Sequence, residues 1–410
     1  MNENKYIIKN AFVFDGLGSD KFQADILIED GIIKEIGNLE NIDCKIIDIK
    51  GNAIAPGFID VHSHDDIALI VYPEMDFKVM QGVTTVINGN CGNNVIPRQG
   101  TLERWQTRYP DNPIPEWNSY SDYIELINSI KPSVNSAILI GHGSVRNGSG
   151  LKNQKRLPNQ NEYDEMKGWI KEGMEAGAVG FSTGLIYEPG RYSSTDEIIE
   201  LTKVISPYDG VYSSHMRNEG NNLLLSIEET IKIGQGAETS IEISHHKVSG
   251  KDNWGLSEKS TGMINDARDK GINVHSDQYP YIAGQSALFA IHQNNSFNEG
   301  EGGMGRVSGD KVIIAHAPIM PEYEGKKLSE ICDDFDLPEQ QAAEKLLSQD
   351  PHVLAIIESM CEEDLITILS NPYTIIGSDG VPASGANPHP RLYGCFPRVL
   401  GKYAREEKII

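Results

Sequence analysis

The chain has 410 residues and carries 59 acidic against 36 basic side chains, a net charge of −23, which argues against nucleic acid or an anionic membrane surface as a partner. No run of eighteen apolar residues occurs, and the first residues hold no basic segment leading into an apolar core, so the sequence reads as cytoplasmic without a membrane span or leader. The five cysteines are scattered (Cys44, Cys91, Cys332, Cys361, Cys395), odd in number and free of any Cys-x-x-Cys pair, so a disulfide framework is not expected.

Residues 1–55 alternate short apolar runs with polar turns: Tyr6 to Phe14, Asp25 to Glu29, Ile32 to Ile36, Lys45 to Ile49 and Asn52 to Ala55. This pattern predicts a small β-domain with a hairpin at Glu29-Asp30-Gly31. From Pro56 the rhythm changes to apolar stretches alternating with amphipathic segments of helical length, the signature of βα units and a parallel sheet. The predicted strands are Phe58 to His64, Thr84 to Cys91, Ser136 to His142, Ala178 to Thr183, Gly210 to His215, Ser240 to His245, Asn273 to Asp277 and Thr374 to Asp379. Eight such units close a (β/α)8 barrel, whose active site lies at the carboxyl ends of the strands. Helices are predicted at Asn161 to Ala176, Ser194 to Val204, Asn222 to Gly234 and Glu258 to Lys270. The barrel is thus expected over 56–410, with an insertion at about 281–373 that covers its mouth and holds a strand at Lys311 to His316 and helices near Glu339 to Leu347 and Glu362 to Leu369.

The strand ends carry chemistry. His62 and His64, two residues apart on a strand, point to the same side and can hold one metal ion. Cys91, His215 and His245 close three further strands, and thiolate with imidazole is a good ligand set for zinc. Each has an ordinary alternative, as a buried small hydrophobe or a satisfied polar group, but all fall at one end of separate strands. Alternation lets only one of His245 and His246 face the barrel axis. A metal-activated water also needs a proton acceptor and donor, and Asp379, at the end of the last strand, is placed for both tasks.

Pro-Gly-Phe-Ile-Asp-Val-His-Ser-His after a small β-domain resembles the amidohydrolase superfamily. Together with Gln81 to Gly92, Gly141-His-Gly-Ser-Val-Arg146, Gly180-Phe-Ser-Thr-Gly-Leu, Ser214-His-Met-Arg, Ser244-His-His-Lys, Asp277-Gln-Tyr-Pro-Tyr and Gly377-Ser-Asp-Gly, it resembles the N-acyl-D-amino-acid deacylases, or D-aminoacylases, from about residue 6 to about residue 400. The cysteine motif is the most discriminating part, since most binuclear amidohydrolases bridge their metals with a carboxylated lysine or a glutamate. The resemblance implies one zinc held tightly by Cys91, His215 and His245, a weaker second site at His62 and His64, and Asp379 as acid and base. It implies a small-molecule partner, an N-acyl-D-amino acid, cleaved by zinc-bound hydroxide to a carboxylate and a D-amino acid.

For the substrate's α-carboxylate, charge-assisted or phenolic donors are expected from Lys247, Arg391 and Tyr279 or Tyr281. Where the family reads Ala-Gly-Ser-Thr, this chain has Ala283-Gly284-Gln285-Ser286, a departure at a substrate-facing hydroxyl position for which Ser286 is the candidate. The family also continues past Phe-Pro-Arg-Val-Leu-Gly through further strands of the small domain, so the β-domain is expected to lack its C-terminal part and to expose apolar edges. The competing readings are a cyclic amidohydrolase of the dihydroorotase or hydantoinase type, disfavoured by Cys91 and the lack of a bridging lysine, and a truncated, non-catalytic remnant.

Overall fold

Asp30 and Gly31 both adopt left-handed backbone (φ 52° and 75°), the two-residue turn geometry that an Asp-Gly pair takes most readily, and they fold the strands Phe22–Glu29 and Ile32–Gly37 back on each other. The computed structural model that contains this hairpin describes residues 4–97, 102–298, 303–383, 385 and 387–410. Two compact units are present, Met1–Phe58 and Ile59–Ile410. In the first, β1 (Lys5–Val13), β2 (Phe22–Glu29), β3 (Ile32–Gly37) and β4 (Lys45–Asp48) form a sheet in the order β3-β2-β1-β4, and β5 (Ala53–Ile54) also pairs with β1. Ile7, Leu27 and Leu39 pack in one small core, and Ala11, Val13 and Ile26 in another. Ile32, Ile33 and Ile46 on the outer strands stay more than half exposed.

Among the described residues the main sheet of the second unit is formed by eight strands: β6 (Phe58–Asp60), β7 (Val83–Asn88), β8 (Asn135–Gly141), β9 (Gly180–Gly184), β10 (Val211–His215), β11 (Ser240–Ile243), β12 (Val274–Gln278) and, after an insertion, the strand Thr374–Ile376. They are hydrogen-bonded in chain order. The first and last meet through a parallel bridge between Ser63 and Gly380, with His64 N donating to Gly380 O at 3.2 Å and Asp379 N to His62 O at 2.8 Å, which closes the barrel. All eight predicted strands are present. The helices Gln160–Glu175, Thr195–Thr202, Leu223–Ala237 and Ser257–Asp269 lie within a few residues of expectation and bury Ile170, Leu201, Ile233 and Ile264 in the clusters outside the strands.

The insertion contains a three-stranded antiparallel sheet, in which β15 (Leu354–Glu358) lies between β13 (Ala283–Ala287) and β14 (Val312–His316). With β13 to β15 so placed, the last barrel strand is β16. Only β14 was foreseen. Ala-Gly-Gln-Ser-Ala has low intrinsic strand preference, and Leu-Ala-Ile-Ile-Glu is too short for periodicity to tell strand from helix.

Beneath the strand ends lies a buried ionic network. Lys78, fully buried, donates to Asp60 Oδ2 at 2.5 Å and Ser378 Oγ at 2.9 Å and sits 3.2 Å from Asp65 Oδ2. Asp60 also accepts from the backbone N–H of Ser378 at 2.7 Å. First and last strands are thereby tied one residue before Asp379. Removing one partner of a buried pair leaves uncompensated charge, so Lys78→Met is expected to cost about 3–5 kcal/mol of stability. Denaturant unfolding reads this; a loss below about 1 kcal/mol would show the network to be dispensable.

Candidate active site

The carboxyl ends of the strands bring the expected residues together. His62 Nε2 lies 3.3 Å from Cys91 Sγ and 3.6 Å from Asp379 Oδ1, and His64 Nε2 lies 3.2 Å from the same carboxylate oxygen. Cys91 Sγ is also 3.4 Å from His245 Nε2, and the rings of His215 and His245 stand edge to face with centroids 4.3 Å apart. Two sets result, His62, His64, Cys91 and Asp379 in one and Cys91, His215 and His245 in the other, each with all donor atoms within 4.8 Å of one another. Cys91 is the member common to both. Of the adjacent histidines, His245 faces the axis while His246 turns outward, its Nε2 2.9 Å from Ser260 Oγ on the helix Ser257–Asp269.

Local backbone makes these positions possible. Cys91, His245 and Asp379 each have positive φ (55°, 35° and 48°), a costly conformation for a side-chain-bearing residue that surrounding structure must enforce. The loop carrying Cys91 lies flat on β9 because Gly184 has no side chain; a Cβ there would come 2.2 Å from Cys91 O.

The donor atoms suit a metal. His215 has neither ring nitrogen hydrogen-bonded, although both are buried. Burial holds the His215 and His245 imidazoles well below their usual range, for His245 with help from the Lys247 ammonium, so both stay neutral, the form that binds metal. Burial pushes the Cys91 thiol up, against the pull of His62. His62 Nδ1 lies 2.9 Å from Asp277 Oδ2, and with Nδ1–H donating to that carboxylate Nε2 is left free to coordinate. His245 Nδ1 lies 2.7 Å from Lys247 Nζ and 3.0 Å from Glu219 Oε1, which together fix the ring's orientation. One thiolate and four imidazoles around a carboxylate form a ligand set suited to zinc.

Arg391 Nη1 is 2.8 Å from Asp379 Oδ2. Burial alone would raise the Asp379 carboxyl, but this guanidinium and the hydrogen bond from His64 hold it well below the usual carboxylate range. Arg391 is itself fixed by its backbone N–H donating to His389 Nδ1 at 3.0 Å and by stacking over Tyr279 at 4.5 Å. Lys247, also buried, donates to Glu219 Oε1 at 2.6 Å. The Tyr279 hydroxyl is buried without a hydrogen-bond partner. Ser286 Oγ is 3.2 Å from the Tyr187 hydroxyl. Lys247, Tyr279, Ser286 and Arg391 all line an inner chamber beside His215 and His245. Tyr281 is the exception among the expected substrate contacts: its hydroxyl donates to Pro390 O at 3.4 Å, its ring takes Arg398 at 4.9 Å, and it lines neither this chamber nor the adjoining outer chamber bounded by Trp105, Phe289 and Leu354. Both tyrosines follow the end of β12 at Gln278, so strand alternation does not govern their relative directions.

Glu219, Asp277 and Tyr187 take part in the site without having been assigned roles from sequence. Asp277 closes its predicted strand as the ligands do, whereas Glu219 lies in the loop four residues after His215, the end of β10.

A (β/α)8 barrel with such a cluster at its strand ends defines a metal-dependent hydrolase of amidohydrolase type, and a family model of the amidohydrolases matches residues 45–203. The D-aminoacylase of Alcaligenes xylosoxydans xylosoxydans is 34% identical over 98% of this chain and 79% of that protein, and the N-acyl-D-glutamate deacylase of the same organism is 32% identical over 98% and 79%. The crystal structure of N-acyl-D-glutamate deacylase from Bordetella bronchiseptica, complexed with zinc and a phosphonate inhibitor, superposes with a TM-score of 0.87 at 32% identity, over 99% of this chain and 82% of that one. A crystal structure of D-aminoacylase gives 0.86 at 33% over the same shares. The chain belongs to the D-aminoacylase family of amidohydrolases.

Proposed function

We propose that the protein is a zinc-dependent hydrolase of N-acyl-D-amino acids, yielding a carboxylate and a free D-amino acid. The observation that carries this reading is the sharing of Cys91 Sγ by two complete ligand sets, with Asp379 beside both histidines of one set. In this reading Cys91, His215 and His245 hold one zinc tightly, and His62, His64 and Cys91, with Asp379 at hand, form the weaker site. A bound zinc lowers the pKa of a water to about 7 and polarises an amide carbonyl. The chain supplies the rest. Asp379, kept ionised by Arg391, accepts the proton of the attacking water at Oδ1. As the water oxygen bonds to the carbonyl carbon and the C–N bond breaks, Asp379 delivers that proton to the departing nitrogen. Asp277 and Glu219 hold His62 and His245 in orientation. Lys247, Tyr279, Ser286 and Arg391 receive the α-carboxylate, and the handedness of their arrangement about the cleaved bond selects the D configuration. The free state of all five cysteines fits the reducing cytoplasm as the place of work.

The test is a parallel assay of N-acetyl-D- and N-acetyl-L-amino acids on protein of measured zinc content. At least a hundredfold preference for D substrates is expected, with zinc near one ion per chain or above. The thermal midpoint should fall on chelation and recover on adding zinc, because an ion bound to the folded state alone stabilises it. Hydrolysis of ring amides in preference, or zinc near zero with activity intact, would reject the reading.

A further inference from the structure

Two chambers meet at the ligand cluster. His245, Asp379, Tyr187 and Ser286 line both, so a bond cleaved at that junction has one half in each. Lys247, Tyr279 and Arg391 line only the inner chamber, which therefore takes the amino-acid half and leaves the outer chamber to the acyl group. The inner chamber measures 50 Å³ and the outer 270 Å³. A water occupies roughly 10–15 Å³ on this measure, so the inner chamber has room for a carboxylate and a short side chain.

Ile291, Met304, Val307 and Ile357 form the apolar part of its remaining wall, beside the uncharged polar side chains of Ser249, Gln285, Ser296 and Ser359. Among the described residues its only ammonium and guanidinium groups are Lys247 and Arg391, and both already face carboxylates, Glu219 at 2.6 Å and Asp379 at 2.8 Å. The substrate's α-carboxylate draws on that charge. A second carboxylate on the side chain would be desolvated in this narrow chamber with Glu219 and Asp379 nearby and only uncharged groups, no further cation among the described residues, to offset its charge. The outer chamber differs: Trp105, Phe289 and Leu354 stand in its wall beside polar groups, and it has several times the volume.

We infer that this enzyme selects small, uncharged D-side chains, the size of alanine, serine or valine, rejects D-glutamate and D-aspartate, and accepts acyl groups longer than acetyl. The inference rests on the reading of the protein as an N-acyl-D-amino-acid hydrolase.

The experiment compares kcat/KM of the zinc-loaded full chain on N-acetyl-D-alanine, N-acetyl-D-valine, N-acetyl-D-phenylalanine and N-acetyl-D-glutamate, and on N-hexanoyl-D-alanine. The alanine or valine substrate is expected to exceed both the phenylalanine and the glutamate ones by about 10–200-fold, the range a misfitting group commands in a shaped pocket. The hexanoyl substrate should match or exceed the acetyl one. Met304→Ala, which widens the inner wall, should raise phenylalanine relative to alanine by about tenfold. D-glutamate or D-phenylalanine equal to or above D-alanine, an unchanged ratio in Met304→Ala, or a hexanoyl rate tenfold below acetyl would each overturn the inference. Zinc-loaded protein inactive on every D substrate would instead reject the hydrolase reading, and the inference with it.

Discussion

Asp379→Ala should lower kcat on N-acyl-D-amino acids by about two to four orders of magnitude, the contribution of one well-placed proton-transfer group, while zinc content stays near one ion per chain. The two expectations separate because Asp379 belongs to the His62, His64 and Cys91 set and is absent from the Cys91, His215 and His245 set. If the carboxylate only supported a metal, Asp379→Asn, which keeps an oxygen in the same place, would recover much of the rate. If it moves protons, the amide recovers almost none. Arg391 sharpens the comparison, since its Nη1 lies 2.8 Å from Asp379 Oδ2 and would face an uncharged group in either variant. Turnover within tenfold of the unmodified protein for Asp379→Ala would remove Asp379 from the reaction.

The part of this site that is legible in the sequence is the part written in strand ends. Period-two alternation places His62 and His64 on one side, and the repeated ending of apolar runs in histidine, cysteine or aspartate fixes which end of the barrel is functional. What escaped depends on reach across the barrel. Asp60 shares its face with His62 and His64, yet its partner Lys78 comes from the helix Asp76–Val79, and no local pattern links a helical lysine to a strand aspartate eighteen residues earlier. Glu219 lies in the loop after Met216-Arg217-Asn218, where no period or motif marks it; only the packing of that loop against Lys247 and His245 gives it its place beside the ligands. Tyr279 and Tyr281 look equivalent along the chain, but both follow the end of β12 at Gln278, and the loop there turns one hydroxyl into the inner chamber and the other toward Pro390. The inner chamber itself draws on Ile291 and Met304 from the insertion together with Ile357 of β15, one of the strands that composition concealed.

The largest loss of metal is expected from Cys91→Ala. Its sulfur is the one donor atom that both ligand sets use, so its removal leaves two imidazoles in one set and two imidazoles with a carboxylate in the other. Two imidazoles fall short of the three protein ligands that a catalytic zinc commonly keeps. Zinc content should therefore drop well below one ion per chain, and activity with it, by about a thousandfold or more. His62→Ala is the contrasting variant. It removes a ligand from the other set only, so about one zinc should remain, and its effect on rate should be the smaller of the two. The alanine at position 91 keeps the Cβ and must adopt the same φ of 55°, so backbone strain is unchanged between Cys91→Ala and the unmodified chain. A comparison of thermal midpoints in the presence of chelator, where neither protein holds metal, isolates the packing of the thiol from its role as ligand. A Cys91→Ala protein that keeps a full zinc ion while His62→Ala loses it would reverse the assignment of the tight and weak sites, with Asp277 rather than Glu219 then supporting the stronger ligand.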